Sequence, residues 1–172
     1  MSTSDRNLSI YQPEDIPDGD GFRIGIVVAQ WNRDITDQLL SACVETLAKH
    51  GVNDEDVKVA HVPGSFELPT GARIIDDRHD LDAVICLGCV IQGETSHNEY
   101  INQAVATGLV HLSIMRSKPF IFGVLTPDNQ EQALDRAGGK HGNKGIEAAI
   151  AAIQMAAFKR NLDENQNKQI GF

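Results

Sequence analysis

Four short apolar runs punctuate the chain: Arg23 to Gln30, Val57 to Val62, Ala83 to Cys89 and Phe120 to Leu125. They lack the polar/apolar alternation of a strand with one wet face, so each is predicted to be a strand buried on both faces, as in a parallel sheet covered by helices. The intervals have helical spacing. Asp34 to His50 carries Ile35, Leu39, Leu40, Cys43, Val44 and Leu47 on one side and stops at Gly51. Leu68 to about Ile75 follows with Pro69 in its first turn. Further helices are predicted over Ser96 to about Met115, Asn129 to Ala137 and Ile146 to Arg160. Strand alternating with helix predicts an α/β fold, a three-layer sandwich in which a four-stranded parallel sheet has helices on both faces.

With 172 residues, 41% of them hydrophobic, one core is expected. Residues 22–160 are predicted to form that domain, behind a polar N-terminal extension of residues 1–21. Residues 161–172, rich in Asn, Gln and charge without an apolar period, read as a frayed tail. The net charge of -9 and the lack of a Lys/Arg block argue against nucleic acid and anionic membrane surfaces as partners. No basic region followed by an apolar run begins the chain and no spanning stretch of about 20 apolar residues occurs, so a cytoplasmic protein is expected. Three cysteines do not make a disulfide framework. Cys86 and Cys89 mimic a metal-binding pair, but residues three apart on a strand point to opposite faces. Cys43 and Cys86 are expected to pack as small hydrophobes. His50, His61, His79, His111 and His141 lack ligand spacing with one another, so no metal and no cofactor is expected.

Ligands of open parallel sheets bind outside the carboxyl ends of the strands, and the chain's unusual chemistry falls there. Gln30-Trp31-Asn32 follows the first strand, Pro63-Gly64-Ser65-Phe66-Glu67 the second, Gly88 through His97 the third and Thr126 the fourth. Ser96 with Glu99 three residues later fits a capping box, which places His97 at the first helical position. Free N–H groups and the positive helix end would then face Gly93 to Thr95, a natural phosphate pocket. The same dipole disfavours imidazolium, which suits a proton acceptor. Taken alone, His97 fits a plain capping residue better than a catalyst. Trp31 suits stacking on a planar heterocycle and suits core packing equally. Glu67 fits a hydrogen-bond acceptor for hydroxyls or an ordinary first-turn carboxylate. The stretch Gly138 to Gly145 opens a helix but is no P-loop, because no strand precedes it and Gly145 stands where a hydroxyl residue is needed. Arg136 and Lys144 remain anion donors or solvated surface cations.

Five motifs in order change the balance: Gln30-Trp31-Asn32, Val62 through Pro69, Gly88 through His97, Phe122 through Thr126, and Asp135 through Gly138 with Asn143-Lys144-Gly145. Together, from about Phe22 to Arg160, they resemble the 6,7-dimethyl-8-ribityllumazine synthase family. The resemblance implies a flavodoxin-like strand order. It implies condensation of 5-amino-6-(D-ribitylamino)uracil with 3,4-dihydroxy-2-butanone 4-phosphate, the penultimate step of riboflavin biosynthesis, without cofactor or metal. It also implies site roles: His97 as proton-transfer residue; Trp31, Asn32, Ser65, Phe66, Glu67, Cys89, Val90, Ile91 and Phe122 around the pyrimidine and ribityl chain; Glu94, Thr95, Arg136 and Lys144 on the phosphate. Phe122 and Arg136 match positions at a subunit boundary.

Members of the family are homo-oligomers, pentamers and in some cases sixty-subunit icosahedral shells, with active sites at subunit interfaces and association with riboflavin synthase. The short Gly138 to Lys144 connection is similar to that of shell-forming members. Three positions depart from the family's habit: Gln92 stands for Arg or Lys, Asn98 for an aromatic and Trp31 for Phe. A competing class is a family-like flavin-binding or shell-forming protein without synthesis, for which His97, Arg136 and the Gly93-Glu94-Thr95 loop would be superfluous.

Overall fold

In the computed structural model, which describes residues 7 and 9–170 with side chains as far as residue 165, the chain builds one four-stranded parallel sheet in the order β2-β1-β3-β4. The strands are β1 (Ile24–Ala29), β2 (Val57–Val62), β3 (Ala83–Cys89) and β4 (Phe120–Leu125). The connecting helices are α1 (Arg33–Lys49), α2 (Leu68–Arg78), α3 (His97–Arg116), α4 (Gln130–Asp135) and α5 (Lys144–Ile170). A parallel step requires a crossover, and the helical spacing between the apolar runs supplies one each time. This is the predicted three-layer α/β sandwich.

Alternate residues of the central strands feed two cores, because successive strand side chains point to opposite faces. Ile24, Ile26 and Val28 of β1 and Ile85, Leu87 and Cys89 of β3 pack with Leu39, Cys43 and Leu47 of α1 and Ala149, Ala152 and Ile153 of α5. Val27 and Ala29 of β1 and Val84 and Cys86 of β3 face Leu68 and Ala72 of α2 and Val105 and Leu109 of α3. Cys86 and Cys89 therefore lie in different cores, as the strand period requires. The alanines of α5 let that helix approach the sheet closely. Gly123 does the same within the sheet, since a methyl there would stand 2.7 Å from Leu87 Cδ2 and 3.3 Å from Ala148 Cβ.

Several expectations are corrected. β1 and β3 are buried along their whole length, but β2 is an edge strand with Lys58, Val59 and His61 exposed. Its run contains Lys58 and His61, which an interior strand would not tolerate. α5 continues past Arg160 to Ile170, where the sequence predicts a frayed tail; Leu162 sits on that added length with Asp163, which pairs back to Lys159 at 2.8 Å. Residues 171–172 lie outside the described residues, as do 1–6 and 8 of the extension. α2 runs on to Arg78 and α4 ends at Asp135. Ser96 precedes α3 but its side chain caps nothing; its carbonyl accepts from Glu99 N–H at 3.0 Å, so the predicted capping box is not formed. The Gly-dense stretch after α4 folds into an antiparallel ribbon, β5 (Ala137–Gly139) and β6 (Gly142–Asn143), with Gly138 and Gly142 at φ +121° and +87°.

Candidate active site

At the carboxyl ends of β1, β2 and β3 the three loops converge on a cleft of about 490 Å³, a size suited to a fused heterocycle with a side chain. β1 keeps pairing beyond its last residue, with Gln30 N–H to Val62 O at 2.9 Å and Trp31 N–H to Pro63 O at 3.2 Å. Asn32 then turns the chain into α1 from the left-handed region, φ 57° and ψ 51°, which Asn tolerates better than most side chains. Its amide Nδ2 donates to the Cys89 carbonyl at 2.9 Å, so the turn after β1 also holds the end of β3. Trp31 is left 73% exposed at the rim.

After β2, Gly64 leads into a 3-10 turn over Ser65–Glu67. Gly64 has extended dihedrals that any residue adopts; what glycine provides is space, since a methyl would stand 3.1 Å from Trp31 Cδ1 and 3.2 Å from Glu67 Oε2. Phe66 is exposed and lines the same cleft, so two aromatic side chains border it. Ser65 is buried, and its Oγ has no hydrogen-bond partner. A buried hydroxyl normally has one. Ser65 lines the cleft, where a ligand would supply it.

Beyond β3, Val90 N–H bonds Leu125 O at 2.8 Å and Gln92 N–H bonds Pro127 O at 3.0 Å, which extends the sheet into the loop before α3. His97 is the first residue of α3, exposed and facing the cleft together with Asn98 and Ile101. The first turn of α3 lacks a side-chain cap, and while the Glu99 N–H is taken by the Ser96 carbonyl, those of His97 and Asn98 are left for an anion near Gly93 and Thr95. Cys89 lines the cleft but is no nucleophile: burial, aided by the Asp34 charge, pushes its thiol up to about 12. Among the described residues no group of His, Cys, Asp and Glu is placed to hold a metal, and no helix is long and apolar enough to cross a membrane.

The cleft thus gathers His97, Trp31, Asn32, Ser65, Phe66, Glu67, Cys89, Val90, Ile91 and Thr95. It does not gather four others. Glu94 is exposed outside the lining, and Phe122 lies half-buried on β4 against the α2/α3 core. Arg136 and Lys144 are elsewhere and already engaged. Arg136 donates to His141 O and to Glu147 Oε1, both at 2.6 Å, and Lys144 Nζ reaches Glu147 Oε2 at 3.0 Å. Sequence reasoning did not place Gly64, Asn98 or Ile101 in the lining, nor Glu147 between the two cations. Ile101, one helical turn beyond His97, was accessible from the α3 period, and Glu147 from its spacing to Lys144.

An open parallel sheet with an aromatic-rimmed cleft at its carboxyl edge, a helix N-terminus and an exposed histidine defines a doubly wound α/β protein built to bind and process a small planar ligand. A sequence model described as 6,7-dimethyl-8-ribityllumazine synthase matches residues 21–160. Curated relatives of that name include those of Parabacteroides distasonis, 50% identical over 92% of this chain and 99% of the relative, and of Cytophaga hutchinsonii, 54% identical over 91% and 98%. A third, from Porphyromonas gingivalis, is 48% identical over 93% and 99%. The chain belongs to the 6,7-dimethyl-8-ribityllumazine synthase family.

Proposed function

We propose that the protein condenses 5-amino-6-(D-ribitylamino)uracil with 3,4-dihydroxy-2-butanone 4-phosphate, releasing 6,7-dimethyl-8-ribityllumazine, phosphate and water. The observation that carries this reading is the meeting of His97, the unpartnered Ser65 hydroxyl and the exposed Trp31 and Phe66 faces in one cleft. Trp31 and Phe66 border the heterocycle, while Ser65, Glu67, Asn32 and the backbone of Cys89, Val90 and Ile91 take its polar edge and the ribityl hydroxyls. Gly93 to Thr95, at the start of α3, takes the phosphate with Glu94 at its rim. Imine formation, phosphate elimination, ring closure and dehydration all move protons, and His97 serves them as general base and acid. Holding amine and ketone together supplies much of the rate, since both are already reactive.

None of the cleft's lining residues is Lys or Arg, although a phosphate calls for a cation. This supports a site shared between subunits, in which Arg136, Lys144 and Phe122 of one chain complete the cleft of the next. A second copy also suits the exposed apolar side chains Ile114 of α3 and Met155, Phe158 and Leu162 of α5 around one groove. The assembly proposed is a homo-pentamer acting in the cytoplasm, with a sixty-subunit shell and association with riboflavin synthase as its larger forms. Mixing the purified protein with both substrates and following the green-fluorescent product tests the activity. Product formation no faster than the uncatalysed reaction would overturn it, and mass measurement in solution tests the assembly.

A further inference from the structure

The family match begins at residue 21, and residues 9–22 lead across that point toward β1. That segment is fastened at several points. Phe22 lies under the Arg160 guanidinium, 3.6 Å from its ring centroid, and Gly19 N–H donates to His50 O at 2.7 Å. The Tyr11 hydroxyl stands 3.0 Å from His50 Nε2 and 3.3 Å from Lys49 Nζ at the end of α1. From there the chain reaches β6, where Ser9 Oγ accepts from Asn143 N–H at 2.6 Å and donates to Asn143 O at 2.9 Å. A hydroxyl suits this double contact because it is donor and acceptor at once. Gly142 leaves room for it: a methyl there would strike the Asn7 and Ser9 side chains.

Asn143 is a buried junction. Its Nδ2 donates to Gln38 O of α1 at 3.2 Å, and its Oδ1 accepts from Gly145 N–H at 2.8 Å at the start of α5. The next residue is Lys144, whose N–H donates to Arg136 O at 2.9 Å and closes the ribbon. Both proposed phosphate cations are therefore mounted on the two ends of a ribbon that contains Gly138, Gly139 and Gly142. Such a ribbon has little stiffness of its own, because glycine adds backbone freedom and contributes no side-chain packing.

We propose that Ser9 is a positioning residue for Arg136 and Lys144: residues 9–22 form a strap that pins the ribbon through Asn143 and presents both cations to the phosphate of the ketone substrate. This rests on the reading above that these cations hold that phosphate. Steady-state kinetics of the full chain with Ser9→Ala and Ser9→Thr test it, together with competitive inhibition by inorganic phosphate. Ser9→Ala is expected to raise KM for the phosphorylated ketone, and to weaken inhibition by phosphate, about 2- to 10-fold, the scale of one lost hydrogen bond. KM for the pyrimidine is expected to hold, and Ser9→Thr to restore the native values. A lowered melting temperature with both phosphate readouts unchanged, or a parallel rise of both KM values, would overturn the inference. Arg136→Ala separates the two claims. If it destroys phosphate inhibition while Ser9→Ala does nothing, the strap's role alone fails; if neither variant moves it, the phosphate reading fails as well.

Discussion

Asn32 and Cys89 join two strand ends: the Asn32 amide donates to the Cys89 carbonyl at 2.9 Å while its own backbone occupies the left-handed region. Replacing Asn32 with Ala removes the bond and leaves a residue that visits this region less readily, so a loss of about 1 to 3 kcal/mol of stability is expected. Asn32→Gly relieves the backbone but not the bond. Thermal denaturation should rank the wild type above Asn32→Gly and that above Asn32→Ala, and equal melting temperatures for all three would contradict the clamp.

Substituting His97 by Ala should lower kcat by about 10²-fold or more, the usual scale of general acid–base assistance, yet leave turnover above the uncatalysed rate. The residue comes from the cleft's hold on two reactive partners, which does not need the imidazole. Single-turnover fluorescence measures this directly. A variant indistinguishable from buffer would mean that His97 does more than move protons, and an unimpaired one that it does less.

Gly64 and Gly88 separate site from scaffold. A methyl on Gly64 meets the side chains of Trp31 and Glu67, the first of them an exposed ring that can swing aside. Stability should then change by no more than about 0.5 kcal/mol, with the damage confined to KM for the pyrimidine. A methyl on Gly88 stands 2.6 Å from Ser65 Oγ and 3.0 Å from Leu68 Cδ1, inside the closed packing of β3 against the turn before α2. Gly88→Ala should cost about 1 to 3 kcal/mol and impair binding too. Urea unfolding alongside substrate titration distinguishes the pair, and equal stability losses would refute the contrast.

What the sequence discloses follows from how local each cause is. The strands were legible because burial on both faces removes polar residues, and the cleft because parallel strands put all their carboxyl ends on one edge. His97, Trp31, Ser65 and Cys89 meet there for that reason alone. The exposed face of β2 was foreshadowed only by Lys58 and His61. The ribbon depends on positive φ at Gly138 and Gly142, which composition suggests without specifying. The location of Arg136 and Lys144 outside the cleft depends on pairing with Glu147, a contact made by the fold of the ribbon and not by spacing to the other loops.

Asp76 offers a test of how independent the cleft is of the sheet's other end. Its side chain is fully buried at the end of α2, with Arg116 Nε at 2.8 Å and Lys118 Nζ at 2.5 Å. Lys118 just precedes β4, so the cluster ties α2 and α3 together at the amino edge, opposite the cleft. Asp76→Ala deprives Lys118 of this partner and leaves Arg116 with Asp77; Arg116 is 35% and Lys118 17% exposed, and both are able to turn toward water. That partial escape sets the expected cost near 2 to 3 kcal/mol, at or below the low end for breaking a closed buried pair (~3 to 5 kcal/mol). Asp77, half-exposed and 3.3 Å from Arg116 Nη2, should cost about 1 kcal/mol at most. Well below its melting temperature, Asp76→Ala should keep native KM values for both substrates, because no cleft residue leans on the cluster. Chemical unfolding and kinetics on the same preparation decide the matter: an unchanged unfolding midpoint would show that the cations repair themselves fully, and shifted KM values would show that strain at the amino edge reaches the loops around His97.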